Sequence, residues 1–276
     1  MTQIYMRFPG GRDKCLTLSY DDGVTQDARM IELMKQYGIA GTFNINSGKY
    51  GARGIYAHRM PLEECREVYL NNPLVEIATH SVNHPSIGVI PTAQAMGEII
   101  DDRANIERDF SVLCRGHAYP HGSFTPELKE ILRLAGIAYA RTTKSTLAFD
   151  IPADWLELPA TCHHKNPRLM ELAEKFLTDE ITRSPYLFYL WGHTYEFDKD
   201  DNWYIIEEFF QTVGRREDIW YATNIQVYDY VQAYKQLIFS ADGNMAYNPT
   251  ATDLWVKAGK NVLKIPSGES VNLLNL

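Results

Sequence analysis

The feature that most restricts this chain is a regular alternation of short strand-like and longer helix-like segments. Residues 15–20 are a strand candidate, stopped by Asp21-Asp22-Gly23. Thr25 then caps a helix whose residues Ile31, Leu33, Met34 and Tyr37 share one face, with Gly38 as its stop. Residues 41–45 read as the next strand, Pro61 opens a second helix reaching residue 70, and residues 74–78 form a third strand running into Thr79-His80. Thr92 caps a longer helix marked by Met96, Ile99, Arg103, Ile106 and Phe110, and residues 114–119 are strand-like again. Thr125-Pro126 is a cap followed by a first-turn proline, a signal that Asn166-Pro167 repeats. Residues 137–141 and the very apolar 186–191 are further strands, and a helix over 201–213, a strand over 219–222 and a helix over 225–239 follow. The result is about seven strand–helix units, which predicts a parallel sheet with helical crossovers. An open doubly wound sheet and a closed barrel fit that count equally well. Beyond residue 240 the pattern changes to turns at 242–244 and 266–268 around short strands at 254–256 and 262–265. The expected organisation is therefore an α/β domain over 1–240 and a small antiparallel β extension over 241–276, packed on it.

Composition narrows the partners. There are 27 basic against 35 acidic residues, a net charge of −8, and no basic cluster longer than Arg215-Arg216, which argues against nucleic acid. No apolar run approaches the ~18 residues of a membrane span, and the start lacks the charged and apolar regions of a secretory signal, so no membrane partner and a cytoplasmic location are expected. Cys15, Cys65, Cys114 and Cys162 are widely spaced without a C-x-x-C pair, which reads as buried, reduced thiols.

The polar residues that could do chemistry sit at matching points of the alternation. Asp21 and Asp22 follow the first strand, His80 the third with His84 four residues on, Tyr119-Pro120-His121-Gly122 the strand from 114, and His193 the strand ending at Trp191-Gly192. In parallel α/β folds the carboxyl ends of the strands meet on one face, where sites form. Taken singly, Asp-Asp-Gly is an ordinary turn and H-x-x-x-H a weak signal; Asn83 and Pro85 set the histidine pair in a loop. Taken together they suit metal-assisted hydrolysis. One carboxylate and two neutral imidazoles make a three-ligand set with open positions, and the other carboxylate and third histidine divide the proton transfers. Such N/O donors suit Zn²⁺, Co²⁺ or Ni²⁺. An iron oxygenase uses a similar set, but on an all-β scaffold that this alternation disfavours. Tyr20, Phe124, Trp155, Trp191 and Tyr195 are candidates for stacking a sugar ring, and His163-His164 for lining a loop near it rather than for a second metal site.

Ser19-Tyr20-Asp21-Asp22-Gly23, His80-Ser81-Val82-Asn83-His84-Pro85 and Leu190-Trp191-Gly192-His193 resemble, in order, three motifs of the polysaccharide deacetylase family, the NodB-homology group or carbohydrate esterase family 4. The resemblance implies a distorted (β/α)7-type barrel, so the fold class expected is α/β with a small antiparallel β appendage at the C-terminus. It implies Asp21 as general base, Asp22, His80 and His84 as ligands of one divalent metal ion, and His193 as general acid. A backbone N–H within Tyr119–His121 would meet the oxyanion, and Trp191 would face the substrate. The family's third motif has an arginine before its proline-aromatic-glycine turn; here Ala118 stands in that place and His121 replaces the aromatic residue. Arg141, at the end of the next strand, is the expected substitute. Asp150-Ile151-Pro152-Ala153-Asp154-Trp155 faintly resembles the fourth motif. The expected activity is removal of the N-acetyl group from an amino sugar or short glycan. The alternatives are hydrolysis of a non-sugar amide at the same site and a carbohydrate-binding pseudoenzyme.

Overall fold

The computed structural model describes residues 3–70 and 72–274. Strand β1 (Ile4–Arg7) precedes β2 (Lys14–Asp21), whose residues are all buried. A strand covered on both faces belongs at the centre of a parallel sheet, and β2 is flanked by β3 (Gly41–Ile45) and, after several crossovers, by β9 (Tyr186–Gly192). Outward from β3 come β4 (Val75–Thr79), β5 (Gly116–Ala118) and β6 (Tyr139–Ser145), all parallel. Next along the chain, β7 (Leu158–Ala160) pairs with β6, while β8 (Cys162–His163) pairs with β9. Only Thr161 separates β7 from β8, and its N–H donates to Tyr189 O (2.8 Å). This single extended segment therefore closes the sheet into a distorted barrel. Strand β10 (Ile219–Tyr221) pairs with the first half of β2, below β3.

Helices cover the outside. They are α1 (Asp27–Tyr37), α2 (Leu62–Tyr69), α3 (Thr92–Phe110), α4 (Pro126–Leu134), α5 (Leu169–Thr178), the short α6 (Tyr195–Lys199), α7 (Trp203–Val213) and α8 (Asn224–Tyr234). Leu18, Met34, Phe43, Phe188, Phe209 and Phe210 are among the apolar side chains between sheet and helices. Much of the inner face is polar and hydrogen-bonded: Asn224 links Thr17 and Tyr189, and Glu76 receives Thr42 and Tyr139, all at 2.7–2.8 Å. A cavity this narrow admits polar side chains only when they satisfy one another, which fixes their rotamers beneath the rim.

The terminal strands form small antiparallel sheets. β13 (Leu254–Ala258) pairs with β1 on one side and β14 (Asn261–Ile265) on the other; β11 (Ile238–Phe239), β12 (Met245–Tyr247) and β15 (Ser270–Asn272) make the second sheet. Met6, Phe8, Tyr230, Val256 and Ile265 share one apolar cluster with β2 and β9 residues, and the Tyr230 hydroxyl donates to Arg7 O (2.6 Å).

Several local expectations shift. Thr125 caps α4 through Leu128 N as its sequence implies, but Thr25 makes no cap bond and α1 starts after Gln26. The last helix ends at Tyr234 because Ile238 and Phe239 pair with β12. The Asn166-Pro167 signal acts one turn early, since α5 starts at Leu169. Asp154 caps a short 3₁₀ turn through Leu156 N and pairs with Lys129 (2.6 Å), so the segment resembling a fourth motif serves as a surface turn there.

Candidate active site

At the carboxyl rim, Asp21 ends β2 and Asp22 follows it with a left-handed φ of 87°. His80 follows β4, and the loop after it turns twice through positive φ, at Ser81 (63°) and His84 (60°); His121 has φ 57°. Side chains with Cβ rarely adopt this conformation, and its concentration here is the mark of a rim held in one functional shape. The hold is visible in the bonds. Asp102 of α3 accepts both His80 N (2.9 Å) and Ser47 N (2.8 Å), while Asn46 Nδ2 donates to His80 O (2.5 Å) and Ser81 O (2.8 Å).

Asp22, His80 and His84 each turn one ligating atom inward, and these atoms all lie within 4.8 Å of one another. His80 Nδ1 bonds the Ala118 carbonyl at 2.7 Å, so that nitrogen carries the proton and Nε2 presents a lone pair. That Nε2 is buried without a partner. Burial, with His84 next to it, drives the His80 pKa well down, and burial also lowers that of His84, so both rings are neutral donors. A buried, lone-pair-bearing nitrogen beside a second imidazole and a carboxylate fits a divalent cation. Arg59, which the sequence does not advertise, donates to Asp22 Oδ1 at 2.7 Å.

Asp21 is held differently. Asn44 Nδ2 donates to one carboxylate oxygen at 2.8 Å, and Arg141 Nη2 donates to the other. Arg141 is only 1% exposed, lies opposite Ala118 in the β5–β6 register, and rests 4.3 Å over the Trp191 ring. Residues paired in a parallel ladder point to the same face, so the guanidinium comes from the strand beside Ala118 and enters the barrel mouth from there. Asp21 Oδ2 lies 3.8 Å from His80 Nε2 and 3.9 Å from His193 Nε2.

On its other side His193 Nδ1 approaches Glu196 Oε2 of α6 at 3.3 Å. Burial alone lowers the His193 pKa, but the Glu196 bond and the Asp21 and Asp22 charges outweigh it and raise the net value. Glu196 also receives His163 Nε2 (3.2 Å) and Lys165 Nζ (2.8 Å), and despite burial these partners hold its carboxyl far below the usual range. His163, His193 and Glu196 offer atoms at metal-like spacing, yet Lys165 N–H donates to His163 Nδ1 (3.1 Å). Its proton therefore sits on Nε2, aimed at Glu196, and the cluster is a hydrogen-bonded hub.

The remaining candidates divide. The Tyr119 N–H is spent on Arg141 O (3.0 Å) and its hydroxyl on Leu156 O (2.9 Å), so neither meets a substrate; in that turn His121 is the residue at the site, its ring 4.5 Å from His84. Trp191 is 8% exposed and lies beneath Arg141 instead of presenting an open face. Tyr20 and Trp155 are core residues, and His164 is buried against Phe197, so it does not line the mouth. Tyr195, half-buried with its ring 5.4 Å from His193, is the aromatic residue beside that histidine.

A barrel whose rim gathers carboxylates and imidazoles from separate strands defines a hydrolase-type site. The model of the polysaccharide deacetylase family matches residues 9–140 of this chain. Its fold is similar to that of a Mycobacterium smegmatis protein classed as a polysaccharide deacetylase (16% identity, TM-score 0.62, covering 85% of this chain and 96% of that one). It is also similar to IcaB from Ammonifex degensii (19%, 0.51, 58% and 72%). With the Streptococcus pyogenes deacetylase PplD, solved with acetate, identity is 19% and the TM-score 0.44, and this chain spans 61% of that chain's length. No curated protein matches the sequence.

Proposed function

We propose that this protein is a metal-dependent deacetylase that hydrolyses the N-acetyl amide of an amino sugar or short glycan. The observation that carries the reading is the position of Asp21 Oδ2, 3.8 Å from His80 Nε2 and 3.9 Å from His193 Nε2. A base, a ligand set and an acid thus lie within one small volume. Asp22, His80 and His84 would hold the divalent cation, with zinc, cobalt or nickel suited to the donors. When bound, that ion supplies Lewis-acid polarisation of the amide carbonyl.

The chain's own residues do the rest. Asp21, oriented by Asn44 and Arg141, accepts a proton from the water that attacks the carbonyl carbon. His193 gives its Nε2 proton to the departing nitrogen, and Glu196 fixes Nδ1 so that Nε2 faces the reaction. The C–O bond forms first, and collapse of the resulting oxyanion breaks the C–N bond, leaving acetate and a free amine. The His121 backbone N–H is the donor of that turn left for the developing oxyanion.

The test pairs two variants with metal analysis and acetate release from N-acetylglucosamine oligomers. Asp21→Asn is expected to keep the metal and lose turnover, and His80→Ala to lose both. Chelation should abolish activity and added Zn²⁺ restore it. Full activity in Asp21→Asn removes the base; acetate release confined to non-sugar amides moves the substrate. Sugar binding without turnover in metal-loaded protein makes the chain a binding module.

A further inference from the structure

The segment between β3 and α2 bridges the two sides of the site. At its start Gly48 N donates to Val82 O (3.0 Å), and a Cβ on Gly48 would meet Val82 Cγ1 at 2.7 Å, so the chain lies flush against the loop that carries His84. At its end Thr25 N donates to His58 O (2.9 Å) and Met60 N to Gly23 O (3.0 Å), beside the aspartates. Between these anchors Gly51 N to Met60 O (3.1 Å) and Arg59 N to Ala52 O (2.9 Å) fold the segment back on itself. It is a built loop, pinned at both ends to the rim.

What it carries is positive. Lys49, Arg53, Gly54 and Arg59, with Asn83 and His84, line a cavity of about 360 Å³ that contains no carboxylate. Nearby acids are already engaged: Asp22 accepts Arg59 (2.7 Å), and both oxygens of Glu98 are taken by Asn83 N (2.7 Å) and Nδ2 (2.8 Å). Among the described residues neither Lys49 nor Arg53 makes an ion pair, in a chain whose net charge is −8. Across the rim Lys165, by contrast, is neutralised by Glu196 and Asp200. Lys49 and Arg53, left without counter-charges at a concave site, create a local positive potential, and a guanidinium matches the planar oxygens of carboxylate and phosphate.

We propose that this pocket binds an anionic group, a carboxylate or a phosphate, carried by the amino sugar whose acetamide is cleaved beside it. The inference rests on the deacetylase reading and narrows its substrate class. Because the pocket shares His84 with the ligand set, the charged group sits next to the reacting acetamide on the same compact sugar.

The experiment compares acetate release from N-acetylglucosamine, N-acetylglucosamine 6-phosphate and N-acetylmuramic acid by wild type and by Lys49→Ala/Arg53→Ala. Wild type should favour a charged sugar by about tenfold or more in kcat/KM, and which one it favours identifies the group. The double variant should lose that preference through KM while its rate on the neutral sugar stays within about twofold. Equal kcat/KM for neutral and charged sugars in wild type overturns the proposal, as does an equal loss on both in the variant. If neither these sugars nor the N-acetylglucosamine oligomers release acetate, the deacetylase reading fails, and calorimetric titration with the two charged sugars decides the pocket separately. Binding that disappears in the double variant upholds the pocket; no binding to wild type overturns it.

Discussion

Removing the Arg141 guanidinium while keeping its bulk, as in Arg141→Met, isolates the most buried charge pair of the site. Asp21 is 2% exposed and Arg141 1%, so the carboxylate would lose its cation with little solvent to compensate. Breaking such a pair from one side costs ~3–5 kcal/mol. The lost contact with Trp191 adds about 0.5–2 kcal/mol, giving a total of roughly 3.5–7 kcal/mol. For a protein of this size each kcal/mol moves Tm by about 2–4 °C, so calorimetry should register a fall on the order of 10–20 °C. Activity should drop about 100-fold or more, because Asp21 keeps only Asn44 to orient it. Adding Asp21→Asn removes the stranded charge and should recover much of the stability and none of the turnover. Returning an arginine to the neighbouring strand, as Ala118→Arg in the Arg141→Met background, should restore part of both, since these positions are paired in register. A single Arg141→Met variant with wild-type Tm and rate would refute the reasoning.

Two further outcomes are expected. His193 must be protonated to serve as the acid, and Glu196 is the first of the groups that raise its pKa, so Glu196→Gln should shift the basic limb of the kcat–pH profile to lower pH; an unmoved limb removes Glu196 from that role. Asp27, buried beneath Thr194 and Tyr69, has its pKa pushed up to about 7, so the fold holds this proton more tightly than the unfolded chain, where the value is about 3.9. Its contribution is full below the unfolded value and is lost as pH rises through 7; Asp27→Asn should flatten that decline in a Tm series from pH 4 to 8, and parallel curves would sink the assignment.

Much of the fold was legible because strand–helix alternation and apolar periodicity record burial directly. The closing segment 158–163 was not, since it is short, interrupted by Pro159, and pairs with a different strand at each end. The terminal strand β1 escaped because its partner lies about 250 residues away, beyond any local pattern. At the site, the aspartates and histidines were found because strand ends point to the rim. Their supports were harder. Glu196 stands three residues after His193, a spacing that one turn of helix would have explained, but α6 itself is too short to show a period. Arg59 reaches Asp22 from a loop with no helical or strand signal, and Asn44, next to the end of β3, looks like any polar residue on an inner face. Trp155 and Tyr20 misled in the opposite direction: aromatic residues near a motif say nothing about which way their rings turn.

The pairing of β1 with β13 also has a consequence for synthesis. A ribosome releases Ile4–Arg7 about 250 residues ahead of its partner Leu254–Ala258. Until then that strand presents an open edge able to pair with other nascent chains, and the loop to be closed spans about 250 residues. Locking of this clasp therefore waits for β13, and damage to either strand should release both.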